Sequence, residues 1–227
     1  MNDESIRIFP LGDSALTVEF GNAISPELNR KAIALADHIE KNPFPGLVES
    51  VPAYASTTIF FDLLKVRRSF AEYPTAFEAV KKCVRDLIAD LAVSPNIDPR
   101  LVEIPVAFDR KSDFDLGYIA EEHGLTIDEV IEIFKSKTYR VYMLGFLPGF
   151  SYMGEVDERI ATPRKQTPRT LVPKGSIGIA GRQTGIYSLA SPGGWQIIGR
   201  TEVEMFTPDA ARPTYLQAGD EVRFVSV

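Results

Sequence analysis

Cysteine, histidine and tryptophan are scarce in this 227-residue chain, at one, two and one copies. The single cysteine, Cys83, forms no internal disulfide, which fits a reducing compartment. Two histidines and one cysteine, widely separated, give no zinc-ligand spacing, so no metal ligand set is expected. No apolar run approaches the roughly 20 residues that span a bilayer, which argues against a transmembrane helix. The start, Met1-Asn2-Asp3-Glu4-Ser5, is acidic and polar, unlike a signal peptide, and a cytoplasmic location is expected. There is no basic excess either: 25 Lys and Arg against 31 Asp and Glu leave a net charge of −6, which argues against nucleic-acid binding. A Gly-x-x-x-x-Gly-Lys-Ser/Thr loop is absent, and Lys174-Gly175-Ser176 has its residues in the wrong order. Gly175, Gly178 and Gly181 recur every three residues, which is not a dinucleotide fingerprint.

What is present is the composition of an ordinary globular protein, 44% hydrophobic and 25% charged. The charge is unevenly spread. Between Arg159 and Thr201 there is no acid but there are seven bases: Arg159, Arg164, Lys165, Arg169, Lys174, Arg182 and Arg200. Taken from a net −6, those seven leave −13 on the rest of the chain. Such a segment suits a small anion, although separate, solvated arginines would give the same count.

The first hundred residues read as an α+β unit. Strands are expected at Ile6 to Leu11, Ser14 to Phe20, Val48 to Tyr54 and Thr57 to Leu63. Ser25-Pro26-Glu27 starts a helix, with Leu28, Ala32, Leu35 and Ile39 as its apolar stripe. A second helix begins near Pro74 and carries Phe77, Val80, Val84, Leu87 and Leu91. The order is β-β-α-β-β-α, two helices on one face of a four-stranded sheet. Ser94 to Pro99 reads as a linker, giving domains 1–95 and 100–227.

The second domain opens with a strand, Val102 to Phe108, and two short helices. Asp115 is expected to cap the first and Gly124 to close it, and Thr126 to Glu129 forms a capping box for the second. Short strands punctuated by Gly and Pro follow, at Thr138 to Leu147, Ser176 to Ala180, Trp195 to Thr201, Val203 to Phe206 and Glu221 to Val227. That texture suggests a barrel or sandwich. His38 and His123 fall near helix ends, where a favourable charge is the plainest role. Cys83, mid-helix, reads as a packing residue.

Two clusters could carry chemistry. In Tyr139 to Gly154, alternation places Arg140 and Tyr142 on one strand face. A guanidinium grips a carboxylate or phosphate in bidentate fashion, and Tyr142 offers a hydroxyl. Phe146, Phe150 and Tyr152 around a Pro148-Gly149 turn also read simply as core aromatics. The second cluster, Ser191-Pro192-Gly193-Gly194-Trp195, pairs adjacent glycines with the only tryptophan. With the cationic loops between them, and Gln183 as a further donor, they suggest a glycine-lined, aromatic and cationic pocket.

Four strings carry a resemblance: YRVYMLGFLPGFSYMG (139–154), ATPRKQTPR (161–169), VPKGSIGIAGRQTGIY (172–187) and SPGGWQIIGRT (191–201). With Pro10 to Ala15 and Val51 to Tyr54, they resemble the KipI family, the B component of ATP-hydrolysing 5-oxoprolinase, also labelled allophanate hydrolase subunit 1. The resemblance implies a small N-terminal α+β domain followed by a cyclophilin-like β-barrel. It implies one part of a hydrolase, inactive without its partners, which are a KipA-like C component and an A component. The assembly opens 5-oxo-L-proline to L-glutamate while hydrolysing ATP, which binds at the assembled complex; a homo-oligomer is compatible with this. Arg140 and Tyr142 would then hold a small anionic or lactam substrate, assisted by Arg164, Lys165, Arg169 and Gln183. Ser191, Pro192, Gly193, Gly194 and Trp195 would line the pocket, with Phe146, Pro148 and Gly149 completing the substrate-binding set. No residue stands out as a nucleophile. The family's Cys-Tyr-Gly-Gly is replaced by Ala107-Phe108-Asp109-Arg110, and its helix histidine by Phe134. Alternatives are a binding protein that inhibits a sensor histidine kinase, with Asp109 to Asp115 as its specificity loop, and a component of urea or allophanate metabolism. Prolyl isomerase activity does not follow from a cyclophilin-like fold.

Overall fold

Ser25 and Pro26 start the first helix of the computed structural model, which describes residues 6–90, 99–108 and 114–227. The Ser25 side chain accepts from the Glu27 N–H, and helix α1 runs over Pro26–Lys41. Two strands precede it, β1 (Arg7–Pro10) and β2 (Ala15–Glu19); two follow, β3 (Leu47–Pro52) and β4 (Ser56–Phe61). A short helix α2 (Leu63–Ser69) comes next, then α3 (Ala76–Ala89), capped by Thr75. The strands form an antiparallel sheet in the order β1-β2-β4-β3. Leu16 and Val18 of β2 and Ile59 and Phe61 of β4 pack with Leu35 and Ile39 of α1 and Val80 and Val84 of α3 in one core. Polar groups tie helix to sheet within that core: the Thr57 hydroxyl donates to the Ala32 carbonyl at 2.7 Å. This is the expected two-layer α+β unit, with one addition. Helix α2 lacks an apolar stripe, since only Val66 is buried, and Asp62 starts it by accepting from the Lys65 N–H.

The chain divides into two compact units, Met1–Asp98 and Pro99–Val227. The predicted linker lies outside the described residues apart from Pro99, as do Leu91, Asp109 and Arg110 and the rest of 109–113. In the second unit β5 (Leu101–Val106) leads to helices α4 (Leu116–His123) and α5 (Ile127–Lys135). Gly124 ends α4 in the left-handed conformation, and the Thr126–Glu129 capping box of α5 is complete. Asp115 departs from expectation. It occupies the cap position of α4, but its side chain makes no cap hydrogen bond.

Eight strands follow: β6 (Thr138–Leu144), β7 (Ser151–Gly154), β8 (Arg169–Val172), β9 (Ser176–Ala180), β10 (Gln183–Ile186), β11 (Ser191–Gly193), β12 (Gln196–Arg200) and β13 (Glu221–Ser226). Seven strands join in the order β12-β9-β10-β7-β6-β13-β5, while β11 and β8 pair separately. The two edges of the seven-stranded sheet meet at one bridge, where Ala107 and Arg200 exchange backbone hydrogen bonds of 2.8 and 3.0 Å. The sheet thus curls round a core of Ile104, Tyr139, Val141, Met153, Ile177, Ile179, Ile186, Ile198 and Phe224, with helices α4 and α5 adding Ile119 and Phe134. A small α+β unit followed along the chain by a curled sheet is the architecture that the family resemblance implies. Val203 to Phe206 is not a strand; Phe206 makes only an isolated bridge to Thr214. Phe134 stacks on Phe224 at 5.0 Å and is a core residue here.

The barrel seam is tight. A Cβ on Gly199 would sit 2.7 Å from Cγ1 of Val106 and 3.1 Å from the Ala107 carbonyl. Gly199→Ala is therefore expected to destabilise the chain by about 1–3 kcal/mol, read as a lower denaturant midpoint. An unchanged midpoint would mean the seam has slack.

Candidate functional site

Alternation along the barrel strands sends one set of side chains into the core and the other to the outer face. Met153, Ile179, Thr184 and Ile186 are buried, and Met153, Ile179 and Ile186 belong to the main core. Their neighbours Tyr152, Ala180 and Tyr187 instead join a second apolar cluster with Phe150, Val172, Trp195 and Ile197. Glycines in the strands make room for it. A Cβ on Gly185 would fall 2.8 Å from the Phe150 ring, and one on Gly178 would fall 2.9 Å from Cβ of Trp195. Phe150 and Trp195 therefore lie directly on the backbone of the sheet.

Phe150 is the hub of this layer. Its ring meets Tyr152 at 4.8 Å, Tyr187 at 5.2 Å, Phe146 at 5.5 Å and Trp195 at 5.5 Å, each edge to face. Each such pair contributes about 0.5–1.5 kcal/mol beyond its buried area. Above them opens a cavity of about 650 Å³, walled by the aromatics together with Arg164, Pro168, Ala180, Gly181, Gln183, Pro192, Gly193 and Gly194. Burial raises the phenol pKa of both Tyr187 and Tyr152, against an opposing pull from Arg164. Both stay protonated near neutral pH and can donate. Among the described residues Arg164 forms no ion pair, and its side chain is exposed at the cavity.

The neighbouring cations are engaged elsewhere. Oδ1 of Asp115 accepts from Lys165 Nζ at 2.9 Å and from Arg169 Nη2 at 2.8 Å. Its Oδ2 accepts from the Ile197 N–H at 2.7 Å, while the Asp115 N–H donates to the Ile197 carbonyl at 2.6 Å. Burial alone would raise the Asp115 pKa, but the hydrogen bonds from Arg169, Lys165 and Ile197 outweigh it and hold the carboxyl below its ordinary range.

Of the residues singled out in the sequence, seven line the cavity together: Phe146, Arg164, Gln183, Pro192, Gly193, Gly194 and Trp195. Lys165 and Arg169 stand behind its wall on Asp115. Ser191 is buried in β11, its hydroxyl directed to the Pro192 carbonyl. Arg140 and Tyr142 lie on β6 and are not among the lining residues. Arg140 reaches the Gly219 carbonyl at 3.4 Å, and the Tyr142 ring covers Gly154. Pro148 and Gly149 form the turn after β6, and Gly149 packs against the Met205 backbone. Sequence reasoning missed Phe150, Tyr152, Pro168, Ala180, Gly181 and Tyr187 as lining residues. The period-two alternation of β7 and β10 would have found the two tyrosines had those short strands been recognised. Among the described residues no group of His, Cys, Asp or Glu is placed to hold a metal, and no helix is long and apolar enough to cross a membrane.

Comparison with known proteins agrees with this architecture. The family described as carboxyltransferase domain, subdomain C and D, matches residues 6–216. The B component of 5-oxoprolinase from Bacillus subtilis is 43% identical over 97% of this chain and 92% of its own length. Its counterpart from Haemophilus influenzae, of the same name, is 37% identical over 97% of both. Among solved structures, TTHA0988 superposes with a TM-score of 0.78 at 36% identity over 94% of this chain, which spans only 40% of that longer one.

Phe146 carries a strained backbone at the mouth of the cavity. Its φ is +67°, and the Leu147 N–H donates to the Gly145 carbonyl across it at 2.8 Å, forming a γ-turn. The turn keeps the ring 61% exposed. Phe146→Ala and Phe146→Gly both remove the ring, but only glycine adopts this φ freely. The glycine variant is expected to be the more stable of the two by about 1 kcal/mol in thermal unfolding, the reverse of the usual order in helices and strands. Equal stabilities would show that the turn relaxes.

Proposed function

Because the chain belongs to the family of carboxyltransferase domains, subdomains C and D, we propose that it is the B component of an ATP-dependent 5-oxoprolinase that opens 5-oxo-L-proline to L-glutamate. The observation that carries this reading is the match, over nearly the full length of both chains, to B components of 5-oxoprolinase. The cavity supports it through its chemistry. A five-membered lactam acid presents a flat, largely apolar ring, an amide and one carboxylate. The aromatic floor takes the ring, the Arg164 guanidinium takes the carboxylate in bidentate fashion, and Gln183 with the protonated tyrosines supplies amide partners.

Among the described residues the lining contains no carboxylate, histidine, cysteine or lysine. The groups present bind and orient; they do not attack a carbonyl or carry a proton away from water. The ring-opening chemistry is therefore assigned to the assembled enzyme, with the C and A components as partners. ATP is assigned there too, since one guanidinium without a glycine-lysine loop is no cradle for a triphosphate. That this fold also occurs as 40% of a longer solved chain accords with a module that works against another.

The direct test is glutamate release from 5-oxo-L-proline and ATP by this chain mixed with its C and A partners. Activity that vanishes when this chain is left out is the expected outcome; activity undiminished by the omission would sink the reading. In the same assay Arg164→Ala is expected to lower kcat/KM more than about ten-fold, or about 1.4 kcal/mol, with the complex intact. Arg140→Ala, outside the cavity wall, should stay within about three-fold. The opposite ranking would move the anion site to β6.

A further inference from the structure

The carboxylate of Asp115 does not touch the cavity, yet each group it holds is a chain neighbour of a residue that does. Lys165 follows Arg164, Arg169 follows Pro168, and Ile197 lies two residues beyond Trp195; Arg164, Pro168 and Trp195 all line the cavity. The same contacts continue into the wall. The Lys165 N–H donates to the Gly194 carbonyl at 2.7 Å, and Arg169 Nη1 reaches the Trp195 carbonyl at 3.4 Å. Arg164, the Lys165 carbonyl and Pro168 all crowd Gly194, each 3.6 Å from where its Cβ would be. The 163–169 arm is irregular up to β8 and carries prolines at 163 and 168. Besides the Lys165 N–H bond, the Pro163 carbonyl accepts from Gln196 Nε2 at 2.9 Å and Arg169 pairs with Gly193 at the start of β8. Asp115, only 6% exposed, adds a charged anchor at Lys165 and Arg169.

From this geometry we propose that Asp115 is a positioning residue: from behind the wall it clasps the 163–169 arm to β12, so that Arg164, Pro168 and Trp195 face one ligand. The inference rests on reading the cavity as the ligand site. A residue that merely stabilised the fold would have no reason to gather the neighbours of three lining residues. A buried carboxylate with two cations and one N–H around it is costly to desolvate, and it is stable only because all three donors are aimed at it. Loss of the charge therefore loosens the two side-chain points, Lys165 and Arg169, at which the carboxylate holds the arm.

Trp195 is the only tryptophan in the chain and reports directly on the wall. In the full-length chain, Asp115→Asn is expected to raise acrylamide quenching of Trp195 about three-fold, because the arm bonded to the Gly194 and Trp195 carbonyls opens locally. Lys165→Met and Arg169→Met, which each leave Asp115 two donors, should give intermediate quenching. In the reconstituted enzyme Asp115→Asn should raise KM for 5-oxo-L-proline about ten-fold with kcat within about two-fold, whereas a purely structural defect lowers the folded fraction and leaves KM alone. Wild-type quenching in all three variants overturns the proposal, as does an unchanged KM in a folded Asp115→Asn enzyme. Should Asp115→Asn fail to fold, the two cation variants decide by the same quenching. An inactive wild-type assembly would count against the oxoprolinase reading, while the quenching result still decides the role of Asp115.

Discussion

The Phe150 ring resting on Gly185 is the contact on which the rest of the site depends. A side chain at Gly185 would collide with that ring and with the Ser151 carbonyl, at 2.8 and 2.7 Å. Only a bare backbone lets an aromatic lie directly against the outside of a β-barrel. Once Phe150 is seated, Tyr152, Tyr187, Trp195 and Phe146 present their edges or faces to it, and a cavity floor exists. The same device recurs at Gly193, where a Cβ would lie 2.3 Å from the Tyr187 hydroxyl. Because the floor lies outside the sheet, its packing is separate from the barrel core of Ile177, Ile179 and Phe224. Changes to the floor need not cost the fold, and changes to the core need not reshape the floor.

How much of this is legible in the sequence follows from how local each determinant is. Helix starts are readable because Ser25, Thr75 and Thr126 cap residues two or three positions away. The α+β order of the first unit and the final strand β13 rest on runs of four to six residues, with clear alternation in β4 and β13. Strands β7, β8, β10 and β11 have three or four residues, and all but β8 contain glycine, so they read as breaks. In a sequence such glycines read as turn formers, whereas Gly185 serves as the seat for a ring in extended backbone. Nothing in one sequence marks that difference, because the ring that fills the vacancy comes from another part of the chain.

The cationic segment shows the same limit from the electrostatic side. Its positive excess is plain, and Arg164, Gln183 and residues 192–195 do converge on the cavity. The division of labour among its cations is not visible. Lys165 and Arg169 are bound by a carboxylate 50 and 54 residues away, which removes them from the wall and leaves Arg164 as the guanidinium that faces inward. Asp115 reads as a helix cap because capping is the local use of an aspartate before a helix. The tertiary bonds win because three donors, two of them charged, outweigh one backbone N–H.

A cavity furnished in this way is suited to holding rather than reacting. Its two phenols are kept protonated by burial, and its cation is a guanidinium, a planar fork of N–H donors. A small ligand would find its charge matched and its ring covered, but, among the described lining residues, no group able to attack it or to take a proton from it. On the proposed reading, then, binding energy collected here is realised as catalysis only when another chain of the assembly brings the missing groups to the mouth. The mouth is where the chain holds Phe146 in a strained turn with its ring exposed, a posture that costs roughly 1–3 kcal/mol. Strain maintained at an opening, away from the barrel core, is what a surface completed by a ligand or a partner would require.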